Sequence, residues 1–195
     1  RYGAMNSGKS TALMQVAHNY EERGMRVLIM KPSIDTKGGE KLMSRLGVER
    51  RVDIAVRPDM DPLALVRADI AKNGPLACVL TDESQFFTSW QAEQLFMVTV
   101  ALNVPVICYG LRADFKGDLF PGSEALLVMA DKIEEVKTIC WCGKKALCNA
   151  RFDESGHVIK EGEQVVLGAN DQYIGLCRKP WMAGDLGPDF DIHKV

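Results

Sequence analysis

Apolar and polar positions follow two patterns in the first two thirds of the chain. Three segments lack internal Pro and Gly and are typical of helices, at residues 9–22, 63–72 and 90–102. Short apolar runs typical of buried strands follow each other at residues 26–30, 76–80 and 104–108. Repeated units of strand, helix and strand predict an α/β fold, in which helices cover both faces of a parallel sheet.

The pattern changes at about residue 132, where alternating stretches replace the helical ones. These stretches lie at residues 132–139, 144–152 and 158–167. They predict a small antiparallel β appendage. We therefore expect an α/β domain, a small second domain and a flexible tail, at residues 1–139, 140–181 and 182–195. We also expect residues 35–51, rich in Lys, Gly and Arg, to form a mobile functional loop.

Composition narrows the classes of protein that the chain can belong to. Its 195 residues carry 24 Lys and Arg against 26 Asp and Glu, a formal charge of -2. This balance argues against nucleic acid or an anionic membrane as a partner. The longest apolar run, residues 95–110, is interrupted by Asn103 and Pro105 and is too short to span a bilayer. With no signal segment at the start, we expect a cytoplasmic protein with reduced or metal-bound cysteines.

The first ten residues contain a phosphate-binding motif, G-x-x-x-x-G-K-[ST]. Its members are the candidate nucleotide ligands Gly3, Ala4, Met5, Asn6, Ser7, Gly8, Lys9 and Ser10. In this motif Lys9 is expected to reach the β and γ phosphates of a nucleotide and Ser10 to bind Mg²⁺. A strand normally precedes such a loop, yet only two residues do so here, so we expect the native chain to begin earlier or this strand to be missing.

An acidic pair follows the second apolar run. Asp82 stands where a metal-side carboxylate is expected, and we predict that it holds Mg²⁺ through water. Glu83 is adjacent, and its side chain is expected to point elsewhere. Two roles remain open for Glu83: it deprotonates a substrate hydroxyl in a kinase, or it orients a water molecule in an ATPase.

Several motifs together resemble the type II thymidine kinases. They are the phosphate loop, DESQFF at 82–87, YGLRADF at 109–115, TICWCG at 138–143, GANDQY at 168–173 and CRK at 177–179. The resemblance covers residues 1–181 and implies transfer of the γ-phosphoryl of ATP to the 5′-hydroxyl of thymidine, with Glu83 as the base and Mg²⁺ as cofactor. It also implies a homotetramer that is inhibited by thymidine triphosphate.

The same resemblance assigns further residues. It places Met5, Phe86, Leu111 and Phe115 around the thymidine base, and Gln85 among the nucleotide-binding residues. It places Tyr173 and the main chain of Val166, Leu167 and Gly168 in a lid over the base. Without the family, the apolar members of this set also fit an ordinary core. Arg112 either pairs with Asp114 or meets a phosphate, and Arg45 fits a solvated surface.

Three cysteines are spaced for a zinc site in the appendage, which would make it zinc-ribbon-like. They are Cys140, Cys142 and Cys177. The family takes its fourth ligand three residues after the last of these, where this chain has Pro180. Three outcomes stay open: zinc completed by water or by a residue such as His193, a site without metal, or partly occupied zinc. The other cysteines, Cys78, Cys108 and Cys148, fit packing roles.

A deoxynucleoside kinase that uses ATP and Mg²⁺ is therefore the first functional hypothesis. The alternative is a P-loop ATPase or nucleotide-dependent switch without a nucleoside acceptor. A third hypothesis is a metal-stapled binding module without activity.

Overall fold

The computed structural model describes residues 1–33, 41–43, 47, 49–165 and 172–192. The first of its two parts, the α/β part, contains α1 (Lys9–Glu21), β1 (Val27–Pro32), β2 (Lys41–Met43), β3 (Glu49–Arg51), β4 (Ile54–Val56), α2 (Pro62–Asn73), β5 (Cys78–Thr81), a 3₁₀ turn (Ser84–Phe86), α3 (Ser89–Leu102), β6 (Val106–Cys108) and α4 (Pro121–Met129). The second, the antiparallel part, contains β7 (Cys148–Phe152), β8 (Val158–Ile159), β9 (Tyr173–Leu176) and α5 (Arg178–Ala183).

A parallel sheet forms the centre of the α/β part, with the strand order β4-β1-β5-β6. Successive side chains of a strand point to opposite faces, so β1 supplies two cores. Leu28 and Met30 pack with residues of α2 and α3 on one face. Ile29 packs with residues of α1 on the other face. Helices thus cover both faces, and the predicted fold class is confirmed.

The backbone around Tyr2 connects the phosphate motif to this sheet. Tyr2 forms parallel bridges to Gly110, just after β6, and to Glu135. The main-chain N–H of Tyr2 donates to Glu134, and that of Val136 donates back to Tyr2. These bonds place the phosphate motif beside the carboxyl end of β6. Residues 132–139 were expected to form a strand of the appendage. They instead contribute isolated bridges, from Glu135 to Tyr2 and from Ile139 to Lys145.

A three-stranded antiparallel sheet, in the order β8-β7-β9, forms the second part and confirms the predicted appendage. Its core includes Ala150, Phe152 and Leu176, and Ala4 of the phosphate motif belongs to the same core. The two parts are therefore packed together at the phosphate motif.

Residues 182–192, within the expected tail, contribute apolar side chains to the antiparallel part. Leu186 is buried in the core of the antiparallel part. The ring of Phe190 stacks edge-on against Phe152, with 4.9 Å between centroids. These two apolar side chains attach part of a segment rich in Gly, Pro and Asp to the antiparallel part. None of the helices in the described ranges is both long and apolar enough to cross a membrane.

Candidate active site

The phosphate motif folds as a tight loop that ends at the N-terminus of α1. Asn6 and Gly8 adopt left-handed backbone conformations, with φ of 63° and 81°. A Cβ on Gly3 would lie 2.4 Å from both the Ser7 hydroxyl and the Val136 carbonyl, so only glycine fits there. The loop therefore presents main-chain N–H groups and the positive end of a 13-residue helix to one anion-binding space.

Lys9 lies inside this loop and is only 8% exposed. Its Nζ donates to the carbonyls of Ala4 at 2.9 Å and Gly3 at 3.3 Å. Burial lowers the pKa of Lys9, while the negative charges of Glu83 and Asp82 raise it. The charges of both carboxylates therefore stabilise the protonated form of the Lys9 ammonium group.

Asp82 follows β5 and contacts the loop directly. The Ser10 hydroxyl donates to Asp82 Oδ2 at 2.9 Å. Asp82 is 3% exposed, and burial, reinforced by the charge of Glu83, raises its pKa to about 6. A buried carboxylate of this kind is costly without a partner, which favours a site that gains a cation on binding its ligand.

Two buried polar atoms of the loop region lack hydrogen-bond partners within the described part of the chain, namely Asp82 Oδ1 and Ser7 Oγ. Such orphaned atoms are rare in folded proteins, and a bound ion or water is one explanation for them. A carboxylate oxygen and a hydroxyl are the hard oxygen ligands that Mg²⁺ and its bound waters prefer. The donor set of Ser10 and Asp82 therefore fits magnesium.

Glu83 adopts a strained backbone conformation and is held by Gln85. Its φ and ψ are 49° and 38°, a left-handed conformation that costs a glutamate about 1–3 kcal/mol. Gln85 Nε2 donates to Glu83 Oε2 at 2.6 Å, and Gln85 Oε1 accepts from the N–H of Leu111 at 2.9 Å. The side chain of Glu83 is therefore tied to the segment after β6, whereas Asp82 is tied to the loop.

The packing of α4 supports this arrangement. A Cβ on Gly122 would lie 2.4 Å from the Phe87 carbonyl and 2.8 Å from that of Gln85. Only glycine allows α4 to approach the 3₁₀ turn so closely. The Ser123 hydroxyl then donates to the Leu111 carbonyl at 2.6 Å. Helix α4 thus fixes the turn and the segment that it faces.

Five of the predicted base-pocket and lid residues lie within the described ranges. Phe86 is half-buried and meets Phe120 edge to face, whereas Leu111 and Phe115 are buried. Tyr173 is half-buried and pairs with Arg151 across β7 and β9. Met5 is half-buried within the phosphate loop. The predicted lid residues Val166, Leu167 and Gly168 lie outside the described residues, as do Arg45 and His193.

Arg112 contacts an aromatic ring, whereas pairing with Asp114 was one of its two expected roles. Its guanidinium lies over the Tyr2 ring, 5.3 Å from the centroid. Asp114 accepts from the N–H groups of Lys116, Gly117 and Asp118 through Oδ1, and from Gln164 through Oδ2. Asp114 therefore shapes the turn after Phe115.

Two residues that the sequence motifs did not indicate connect the two parts at the site. The Asn149 side chain of β7 bonds to Met5 and Ala113, and Trp181 Nε1 donates to the carbonyls of Phe115 and Asn149. An asparagine inside a short strand was the available signal, since strands are depleted in this residue. The predicted pocket residues Met5 and Phe115 are thereby held to the same strand.

The three predicted zinc ligands come together. The Sγ atoms of Cys140, Cys142 and Cys177 all lie within 4.8 Å of one another, and Cys142 and Cys177 are 3.6 Å apart. Tetrahedral zinc with Zn–S bonds of about 2.3 Å separates its sulfurs by about 3.8 Å, so the cluster fits zinc. In the ranges that the structure describes, no other His, Cys, Asp or Glu joins this group, and Pro180 is buried within α5.

The phosphate loop and the two carboxylates meet at the carboxyl edge of the parallel sheet, where open α/β sheets bind ligands. This arrangement defines a P-loop nucleotide-binding protein. Comparison with known proteins narrows this class. The family model for thymidine kinase matches residues 1–181. The chain belongs to the thymidine kinase family, and the resemblance indicated by its motifs is confirmed.

Individual relatives match over most of their length. The thymidine kinase of Idiomarina loihiensis is 48% identical over 182 residues, which are 92% of this chain and 93% of that protein. The thymidine kinase of Ruegeria pomeroyi is 49% identical over 189 residues, 95% and 94% of the two chains. That of Coxiella burnetii is 47% identical over 184 residues, 94% and 93%.

Proposed function

We propose that this chain transfers the γ-phosphoryl group of ATP to the 5′-hydroxyl of thymidine. Membership of the thymidine kinase family supports the reaction. The observation that carries the mechanism is the convergence of Lys9, Asp82 and Glu83. Both carboxylates act on the pKa of Lys9, and they are themselves held by different partners. One site therefore contains a cation for phosphate, a carboxylate for metal and a second carboxylate for a proton.

Each group at the site has a separate task. The loop and Lys9 bind the triphosphate. Ser10 and Asp82 would hold Mg²⁺, which would neutralise phosphate charge. Glu83 accepts the proton of the 5′-hydroxyl as the oxygen forms its bond to the γ-phosphorus and the bond from that phosphorus to ADP breaks. Because Gln85 fixes the carboxylate, its position is set before the substrate arrives. Positioning of this kind supplies much of the rate in phosphoryl transfer.

An apolar surface next to Glu83 favours a nucleoside acceptor over water. Phe86 is half-buried and offers a flat surface suited to a weakly polar base, with Leu111 and Phe115 buried in the segment that follows β6. Release of ADP from ATP, measured with thymidine, with deoxycytidine and without nucleoside, tests this choice. We expect thymidine, but not deoxycytidine, to stimulate the release of ADP from ATP. A rate that is independent of the nucleoside would instead indicate the ATPase or nucleotide-dependent switch.

Other family properties are expected for this chain. We infer that it forms a homotetramer, that thymidine triphosphate inhibits it, and that it acts in the cytoplasm. We retain residues 1–139 and 140–181 as the domain boundaries. Light scattering on the purified protein tests the tetramer, and inhibition of ADP release by thymidine triphosphate tests the regulation.

We also propose that Cys140, Cys142 and Cys177 bind Zn²⁺ as thiolates. The sulfur separations support this assignment. Cys177 precedes the first residue of α5, and the residue three positions later lies on the same side of a helix. Pro180 occupies that position and has no ligating atom, so the fourth ligand is water or a residue outside the described ranges, such as His193. The metal would join the segment before β7, which carries Cys140 and Cys142, to the start of α5.

A further inference from the structure

Asn149 connects three segments of the molecule through its side chain and its position in β7. It is 5% exposed. Its Oδ1 accepts from the Met5 main-chain N–H at 2.8 Å. Its Nδ2 donates to the Ala113 carbonyl at 2.9 Å. One amide thus bridges the phosphate loop and the segment between Leu111 and Phe115.

The peptide group between Ala4 and Met5 is held from both sides. Its carbonyl, on Ala4, accepts from Lys9 Nζ at 2.9 Å. Its N–H, on Met5, donates to Asn149. Because a peptide group is planar and rigid, fixing the N–H also fixes the carbonyl that holds the Lys9 ammonium. Asn149 is therefore connected to Lys9 through a single peptide.

The strand next to β7 lies close to the two residues that this peptide joins, Ala4 and Met5. Asn149 pairs with Gly175 in β9. A Cβ on Gly175 would lie 3.2 Å from the Met5 carbonyl and 3.4 Å from the Ala4 Cβ. Asn149 and Gly175 therefore pack closely against the phosphate loop. Trp181 adds a second connection, since its Nε1 donates to the Phe115 carbonyl and to the Asn149 carbonyl at 3.1 Å each.

We propose that Asn149 is a positioning residue that holds the phosphate loop, and through it Lys9, at a fixed place relative to the Leu111–Phe115 segment. The chemistry requires an amide because one acceptor and one donor must face opposite partners within one short side chain. A leucine side chain at this position would have nearly the same shape but would leave two buried main-chain polar groups unpaired. An aspartate would keep the acceptor for Met5 and lose the donor for Ala113.

Gln91 offers a matched control elsewhere in the α/β part. It is also a buried amide, 1% exposed, and its Nε2 donates to the carbonyls of Arg57 at 2.7 Å and Met60 at 3.0 Å. Its Oε1 also accepts from the Thr88 N–H at 3.2 Å. These partners lie before α2 and at the start of α3, and they are remote from the phosphate loop in sequence. Gln91→Leu therefore removes a comparable bridge without touching the loop.

The first test is amide hydrogen exchange in the absence of nucleotide, which does not depend on the proposed reaction. We expect Asn149→Leu to raise the exchange rate of residues 3–9 and 111–115 at least tenfold. Asn149→Asp should keep residues 3–9 protected and release 111–115. Gln91→Leu should change neither segment. Wild-type protection of the loop in Asn149→Leu, or equal loss in Gln91→Leu, would overturn the proposal.

The second test uses kinetics and rests on the proposed function. We expect Asn149→Leu to raise the KM for ATP at least tenfold, whereas Gln91→Leu keeps the KM within twofold at a similar loss of thermal stability. An unchanged KM for ATP in Asn149→Leu contradicts the proposal. A wild-type protein that does not phosphorylate thymidine overturns the proposed function alone, because the exchange experiment still decides the role of Asn149.

Discussion

The Ser10 hydroxyl donates to the Asp82 carboxylate at 2.9 Å, although 72 positions separate the two residues. This bond joins the first turn of α1 to the residue after β5. It places the end of the phosphate loop beside the carboxylate that the proposed mechanism assigns to magnesium. The carboxyl ends of parallel strands are where open α/β sheets bind ligands, and here the sheet brings two distant motifs to one edge.

Replacing Asp82 should increase the stability of the protein and decrease its activity. Its pKa, about 6 when folded against 3.8 ordinarily, means that ionising it costs folding free energy as the pH rises through this window. Asp82→Asn should therefore raise the free energy of unfolding of the ligand-free protein by about 1–3 kcal/mol above pH 6. Below pH 4 the two proteins should converge. Chemical denaturation at several pH values measures this difference.

The same Asp82→Asn variant should lose activity at least about 100-fold, because the proposed magnesium ligand is lost. Stabilisation of the wild type by Mg²⁺ and ATP, measured as a rise in Tm, should shrink in the variant. A variant that is less stable than the wild type at pH 8, or one that keeps full activity, contradicts the role given to this carboxylate.

Gln85 should affect the rate more than it affects ATP binding. Gln85→Leu removes the bonds to Glu83 and to the N–H of Leu111, so the proposed base is no longer held. We expect kcat to fall about 10- to 100-fold with a KM for ATP within threefold of the wild type. Loss of the buried bonds should also cost about 1–3 kcal/mol of stability. Steady-state kinetics and denaturation at one pH check both values, and an unchanged kcat would show that Glu83 needs no such support.

The zinc proposal is tested at Pro180. Pro180→His offers a fourth ligand one turn into α5, and we expect its zinc affinity, measured by competition with a chelator, to rise at least tenfold over the wild type. Pro180→Ala removes the ring without adding a ligand and should leave the affinity unchanged. Equal affinities in all three proteins would contradict a site completed by water.

Loss of one thiolate tests the same site from the other side. Cys140→Ser should lose the bound zinc and about 2 kcal/mol or more of stability, since a structural metal contributes folding free energy. Metal analysis and thermal unfolding check this outcome. Purified wild-type protein without zinc, or a Cys140→Ser variant of unchanged stability, would favour the metal-free alternative.

The helices and central strands were predictable because their local patterns agree with the fold. Helix α1 follows the phosphate motif, and α2 begins at Pro62, capped by Asp61. Helix α4 was not predicted, because it opens with Pro121 and Gly122, a pair that usually marks a turn. The structure shows that Gly122 is required for close packing on the 3₁₀ turn. Gly122 is required by a tertiary contact, and such a contact leaves no pattern in the local sequence.

The candidate site also contains some features that local sequence patterns reveal and others that depend on tertiary contacts. The phosphate loop and the acidic pair were found from sequence because their chemistry dictates residue types at fixed spacing. The bonds from the Leu111 N–H to Gln85 and from the Met5 N–H to Asn149 join segments that are distant in the chain, so a linear pattern does not reveal them. The packed position of Leu186 was missed for a similar reason, since one apolar residue among Gly, Pro and Asp does not predict burial.

The most direct test of the central claim is the rate of thymidine phosphorylation by Glu83→Gln at saturating substrates, together with its dissociation constant for ATP. If Lys9, Asp82 and Glu83 serve one triphosphate, the rate should fall at least about 100-fold while the dissociation constant stays within threefold of the wild type. A variant that phosphorylates thymidine at the wild-type rate would contradict the account.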